Sequence, residues 1–274
     1  MSKGQKRISE YILNHYEKAA YMTAAKLGEA AGVSESTVVR YAGELGYEGY
    51  PEFLYALRES VRSMLTSMQR IEMTDEMIGN NDVLERTLAA DMARIKATIE
   101  CNSAEDFDAA IDEIVGAKNI YIVGAGASSM LSDMLAYNLT LVFDNVRHVD
   151  SSSESSVLEQ LLRIGPGDVL IAITFPRYSK RIVKGVSFAK NRNASIIGIT
   201  DGNASPIAPM SDKLLFAKSD MASFVDSLVA PLSLVNAIIV AISRKKKDEL
   251  ADTFDQLERV WDEFEIYDKA AYNV

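Results

Sequence analysis

Two short stretches carry glycine, hydroxyl and guanidinium groups in an order suited to holding an anion. The first is YIVGAGASS at 121–129, where an apolar run ends in Gly124 and Gly126, followed by Ser128 and Ser129 at the start of a predicted helix. A helix N-terminus leaves backbone N–H groups unpaired, and hydroxyls beside them suit a phosphate or another anion. A dinucleotide fingerprint needs a third glycine for close helix–strand packing; Ser129 stands at that position and disfavours that reading. The second stretch is ITFPRYSK at 173–180. Here Thr174 closes an apolar run, Arg177 brings a planar charged fork, and Tyr178 and Ser179 add hydroxyls ahead of another helix.

Material for acid–base catalysis is thinner. His148, Asp150 and Glu154 lie near the end of a predicted strand and are the candidates for the general acid and base of an isomerase. Their ordinary reading is a strand-end histidine and solvated acids. No G-x-S-x-G elbow or zinc-ligand spacing occurs. Two histidines and one cysteine, Cys101, argue against a histidine-based metal centre and exclude an internal disulfide. No catalytic residue, metal or cofactor is therefore expected.

A third constellation lies in MTAAKLGEAAGVSESTVVRYAGELGYEGYPEF at 22–53. Thr23 suits the N-cap of a short helix with Ala24, Leu27 and Ala31 inward; Gly32 suits its end, and Ser34 the cap of a second helix. Two helices joined by so tight a turn have the helix-turn-helix geometry, in which the second helix enters the major groove of DNA. Val38 and Leu45 are expected to pack inward, leaving Ser36, Thr37, Arg40 and Tyr41 with Ser34 toward DNA. Arginine reads guanine or holds a phosphate, and serine and threonine do either more weakly.

These groups need elements to position them. Short apolar runs at 120–123, 146–149, 168–173, 195–199 and 213–216 alternate with helical patterns, which predicts a parallel sheet flanked by helices. The first 60 residues show helical spacing alone. From 62 to 80 the pattern loosens, which predicts a linker, and the domains are expected at 1–75 and 76–274. Leu84, Leu88, Met92, Ile95 and Ile99 then mark an amphipathic helix. Residues 224–243 are apolar enough to raise a membrane span, but Asp226, Pro231 and Asn236 interrupt them and predict a buried helix.

Net charge divides the chain. Residues 1–70 hold nine Lys/Arg against eight Asp/Glu, or +1, while residues 71–274 hold 20 against 31, or −11. Only the first part suits nucleic acid. The single cysteine and an N-terminus without an apolar core predict a cytoplasmic protein.

The N-terminal string resembles the helix-turn-helix domain of the RpiR family of transcription regulators. The shared features are the GVS turn, the S-x-x-T-V-x-R helix (Ser34, Thr37, Val38, Arg40) and the L-G-Y-x-G-Y-x-x-F tail from Leu45 to Phe53. Residues 100–245 resemble the SIS (sugar isomerase) domain that follows it in that family, through the glycine–serine loop, the strand-loop-helix at 169–190 and IIGITDGNASPIAPMSDKLL. The resemblance implies an all-α N-terminal DNA-binding domain and a C-terminal α/β domain. It also implies an effector at the strand ends, where Thr200, Asp201, Ser205 and Pro206 form a third loop. The usual loop is S-x-S-G-x-[ST]; here Thr174, Pro176 and Arg177 replace Ser, Ser and Gly, and Ser179 survives. Two phosphate donors are lost and a charge is gained, so the expected effector is a small anion, a phosphorylated sugar or related metabolite. Reading two operator half-sites implies a homodimer or higher homo-oligomer; the helix at 223–243 and the last helix, with Leu250, Phe254, Leu257, Trp261 and Phe264, each suit either its seam or the internal core. The competing assignment is a SIS-type sugar-phosphate isomerase, for which residues 1–60 have no use.

Overall fold

The structure, a computed structural model, describes residues 2–62, 65–78 and 82–267. The chain divides into two compact units, Met1–Leu88 with Asp220–Ser227, and Ala89–Ser219 with Leu228–Val274.

The first unit is helical: α1 (Lys3–Asn14), α2 (Tyr16–Ala19), α3 (Ala24–Ala31), α4 (Glu35–Glu44), α5 (Tyr50–Arg62) and α6 (Ser67–Ile78). Its core joins Ile8 and Ile12 of α1, Leu27 of α3, Val38 and Tyr41 of α4, and Tyr50 and Phe53 of α5. The Leu45–Phe53 tail has a packing reason: the Tyr41, Tyr47 and Tyr50 rings surround Phe53 at 5.5–6.0 Å between centroids. Burial pushes the Tyr50 phenol up to about 12, and its hydroxyl donates to the Met22 carbonyl at 2.9 Å.

The stretch expected as a loose linker holds α6, although its residues 63–64 and 79–80 lie outside those described. Its start is a capping box: the Thr66 hydroxyl accepts from the Gln69 N–H at 3.2 Å, and the Gln69 side chain accepts from the Thr66 N–H at 2.9 Å. The T-x-x-Q spelling of that cap is present in the sequence. Arg70 of α6 is 1% exposed and donates to Asp226 at 3.0 Å.

Close approach explains one glycine here. A Cβ on Gly28 would lie 2.9 Å from the Val33 carbonyl oxygen and 3.2 Å from the Glu35 nitrogen, so α3 touches the backbone of the turn. Gly28→Val is expected to cost about 2–3 kcal/mol, since backbone must move to admit the side chain. Chemical unfolding measures it; a midpoint equal to wild type would show that the turn yields freely.

The second unit contains most of α7 (Val83–Glu100), then α8 (Ala104–Val115), β1 (Ile120–Gly124), α9 (Ala127–Thr140), β2 (Val146–His148), α10 (Glu154–Gln160), β3 (Val169–Ile173), α11 (Lys180–Lys190), β4 (Ser195–Thr200), β5 (Lys213–Phe216), α12 (Val229–Lys245) and α13 (Lys247–Glu263). The five strands form one parallel sheet in the order β2-β1-β3-β4-β5, and each expected apolar run holds one of them. All residues of β1 and β3 are buried, as a parallel sheet covered on both faces requires. One face packs on α8, α9 and α12, the other on α10 and α11. Each fully buried isoleucine, such as Ile122 or Ile171, contributes about 1.5–3 kcal/mol.

The helix expected at 223–243 is α12, but it begins only at Val229, and residues 223–228 before it are not helical. Ala230, Leu234, Val235, Ile238 and Ile242 are its buried face, and Pro231 falls in its first turn, where proline is tolerated. Among the described residues no helix is long and apolar enough to cross a membrane.

Candidate functional site

Two regions hold the residues singled out in the sequence, one in each unit. In the first, Gly32 adopts the left-handed conformation (φ 65°) that ends α3, and α4 begins after Ser34. The Ser34 hydroxyl does not cap a backbone N–H; it bonds the hydroxyls of Ser36 at 2.9 Å and Thr37 at 2.8 Å. Ser34, Ser36 and Arg40 are exposed and Thr37 is half-buried. Arg40 makes no hydrogen bond or ion pair among the described residues.

Tyr41 corrects the expected helix phase. It is 7% exposed, and its hydroxyl lies 2.8 Å from the Ser9 hydroxyl. From the fully buried Val38, the steps of three and four that keep one helix face lead to Tyr41 and Ala42. Leu45, expected inward, follows the last turn and is 48% exposed. Val39 is 43% exposed beside Ser36 and Arg40. An apolar side chain there suits a thymine methyl. The outer face of α4 is thus Ser36, Val39 and Arg40, with the N–H groups of its first turn at one end.

In the second unit the sheet order reverses between β1 and β3. The crossover helices after these strands, α9 and α11, lie on opposite faces, so the strand ends part there and leave a crevice. Gly124 and Ile173 are register partners at its floor. One lip is Gly126 (φ 61°) at the N-cap of α9, with Ser128 and Ser129 in the first turn. Ser128 is buried, and the Ser129 hydroxyl bonds back to the Gly126 carbonyl at 2.8 Å. The other lip is the loop of 174–179. Thr174 is buried and its N–H donates to the Ile199 carbonyl at 3.1 Å. Ser179 is the N-cap of α11 and makes no capping bond with its side chain. Between them Arg177 is exposed and left-handed, with φ 67°. A non-glycine residue pays about 1–2 kcal/mol for that conformation.

The third loop brings Asp201 and Ser205. Ser205 is 2% exposed, and its hydroxyl has no hydrogen-bond partner among the described residues. The Tyr178 hydroxyl donates to Asp201 at 2.9 Å. One group was missed: Lys218, half-buried just beyond β5, whose ammonium donates to the Asp201 carbonyl oxygen at 3.3 Å. Arg177 is therefore not the sole cation at this edge. A lone lysine after a strand carries no pattern that sequence reasoning detects.

The acid–base candidates are occupied elsewhere. His148 Nε2 pairs with Asp133 at 2.9 Å, and Glu154 pairs with Lys184 at 2.8 Å. Asp150 accepts from the Ser152 hydroxyl at 2.5 Å and the Ser156 hydroxyl at 3.1 Å. Its carboxyl is held below the usual range, chiefly by Ser152. Among the described residues no cluster of His, Cys, Asp or Glu is arranged to hold a metal.

Comparison with known proteins finds a separate family match in each part of the chain. The family described as "Helix-turn-helix domain, rpiR family" matches residues 1–64, and the SIS domain matches residues 113–241. The HTH-type transcriptional regulator HexR of Pseudomonas aeruginosa is 23% identical over 90% of this chain and 86% of its own length. The sugar isomerase domain of an RpiR transcription factor from Sphaerobacter thermophilus has the same fold, with a TM-score of 0.61 at 21% identity, over 64% of this chain and 97% of that one. The Vibrio vulnificus NanR protein complexed with ManNAc-6P has a TM-score of 0.61 at 20% identity, over 96% of this chain and 94% of that one. With both domains in the family's order, the chain belongs to the RpiR family of helix-turn-helix transcriptional regulators.

Proposed function

We propose that this regulator binds operator DNA through α4 and that a small anion, of the phosphorylated-sugar class, bound at the β1/β3 switch point alters that binding. The observation that carries the effector half is Arg177. It is a charged, exposed residue held in a costly left-handed conformation two residues before the N-cap of α11, in a part of the chain with net charge −11. The NanR relative, complexed with ManNAc-6P, supports the ligand class. Ser128, Ser129, Thr174 and Ser179 line the lips, and the buried Ser205 hydroxyl gains a partner if ligand or water reaches it. No turnover is proposed, because His148, Asp150 and Glu154 serve structural contacts. Thermal-shift measurement against phosphorylated sugars and sugar acids tests the ligand class, with neutral sugars as the control. Stabilisation by neutral sugars alone would sink it, and aldose–ketose conversion would restore the isomerase reading.

For the DNA half, Arg40→Ala in the full chain is expected to weaken operator binding by about 1–3 kcal/mol if the guanidinium reads a base. If it holds a phosphate instead, binding weakens for all sequences and the salt dependence flattens. Equal binding by the variant in a gel-shift titration would remove α4 from the interface.

We further propose a cytoplasmic homodimer. Leu250 of α13 is buried, while Phe254 and Phe264 on the same stripe are 39% and 66% exposed. Leu84, Leu88 and Met92 of α7 are 53–69% exposed. Apolar faces left this open favour self-association, and a two-fold dimer matches paired half-sites.

A further inference from the structure

Tyr178 lies between the left-handed Arg177 and the N-cap of α11. Its hydroxyl and that of Thr200 donate to the same Asp201 oxygen, at 2.9 and 3.1 Å. Asp201 is 6% exposed at the end of β4. Lys218, beyond β5, donates to the Asp201 backbone oxygen. One aspartate thus ties the ends of three adjacent strands, β3, β4 and β5.

The loop of 174–179 has few other ties. The Thr174 N–H fixes its start on β4, and the Phe175 side chain is buried. Pro176 has no N–H to give. Arg177 is exposed, and the Ser179 side chain makes no capping bond. The phenol at the far end of the segment ties it to the end of β4. A hydroxyl–carboxylate bond in a buried setting is strong and directional enough for this task.

We propose that Asp201 and Tyr178 are positioning residues of the effector site. Their hydrogen bond clasps the loop, keeps Arg177 left-handed, and so aims its guanidinium and the Ser179 hydroxyl at the crevice. This role rests on the reading of that crevice as an anion site. It gives Tyr178 a task different from direct ligand contact, and it gives Asp201 a use that acid–base chemistry does not. The same clasp lowers the ordering cost of binding, because the loop is already in place when the anion arrives.

The test uses the full chain and amide hydrogen exchange over residues 174–180, with the unfolding midpoint as the check that each variant folds. Tyr178→Phe and Asp201→Ala are expected to speed exchange in this segment about tenfold, the worth of one lost charge-assisted bond. Asp201→Asn keeps an oxygen acceptor and should recover part of the protection. Adding Tyr178→Phe to Asp201→Ala should add little, since Asp201→Ala already removes the Tyr178–Asp201 bond along with that from Thr200. Wild-type exchange in both single variants overturns the clasp, whatever the effector is. The second measurement adds inorganic phosphate as the probe. Tyr178→Phe should need about tenfold more phosphate than wild type to slow exchange at these amides, because a loosened loop must be ordered on binding. An equal phosphate requirement overturns the positioning role. Phosphate that leaves wild-type exchange unchanged counts against the anion-site reading, and the first measurement alone then decides the clasp.

Discussion

Gly124→Ala is expected to lower the stability of the sheet-containing unit by about 3 kcal/mol and to shift the α9 lip of the crevice. A Cβ at this position would lie 2.3 Å from the Ser128 carbonyl oxygen, 2.8 Å from its carbonyl carbon and 3.0 Å from the Ser132 hydroxyl. Two of these atoms belong to helix backbone and cannot rotate away. α9 packs on β1 through Leu131, Leu135 and Leu139, all buried in one cluster with Ile120 and Ile122. Moving its first turn outward therefore disturbs that core as well as the proposed anion site. Unlike alanine in a helix, alanine at a strand end gains no helix propensity that would offset the clash. The melting temperature should fall by about 6–12 °C for a unit of this size. Binding of the effector should weaken more than the fall in stability implies, because Ser128 and the N–H groups of the first turn move with the helix. A variant with wild-type melting temperature would show that α9 is free to retreat from β1, and the packing account of Gly124 would then fail.

Gly124 also shows where sequence reasoning stopped. The third glycine of a dinucleotide fingerprint was sought at Ser129, but the close approach of helix to strand is made at Gly124 itself. The Ser129 hydroxyl, counted as a ligand donor, bonds back to the Gly126 carbonyl. The five strands were legible because a sheet buried on both faces writes continuous apolar runs, with Ile120–Gly124 and Val169–Ile173 buried throughout. The helix-turn-helix was legible in its caps and glycines, since Thr23 accepts from Lys26 at 3.3 Å and Gly32 is left-handed. Its outer face was not. One step of helix phase separates Tyr41 inside from Tyr41 outside, and a tyrosine suits either. Long-range pairs such as Tyr178 with Asp201 leave no local pattern. Nor does a lone lysine such as Lys218.

Arg177 yields a prediction in which stability and function move in opposite directions. The position is left-handed, φ 67°, and falls where the family's loop motif has glycine. Glycine takes this conformation without the clash between Cβ and carbonyl oxygen that costs other residues about 1–2 kcal/mol. Part of that gain is returned through the greater freedom of glycine in the unfolded chain. Arg177→Gly is therefore expected to raise stability by about 0.5–1 kcal/mol, a rise of about 1–4 °C in melting temperature. The same change removes a guanidinium from the proposed anion site, in a region carrying −11. A charge-assisted contact is worth roughly 1.5–3 kcal/mol, so affinity for the effector found in the thermal-shift screen should fall at least about tenfold. Arg177→Ala separates the two effects: it keeps the backbone strain and loses the charge, so affinity falls without a gain in stability. Arg177→Lys keeps both strain and charge but lacks the planar fork, and should retain an intermediate affinity. Calorimetric titration and thermal unfolding of the three variants decide the matter. If Arg177→Gly binds the effector as wild type does, the arginine has no part in recognition, and the anion must be held by Lys218 and the helix N-termini. If Arg177→Gly is less stable than wild type, the arginine side chain holds the loop in a way that outweighs its backbone cost. The left-handed residue would then be a structural brace and not a sign of ligand selection.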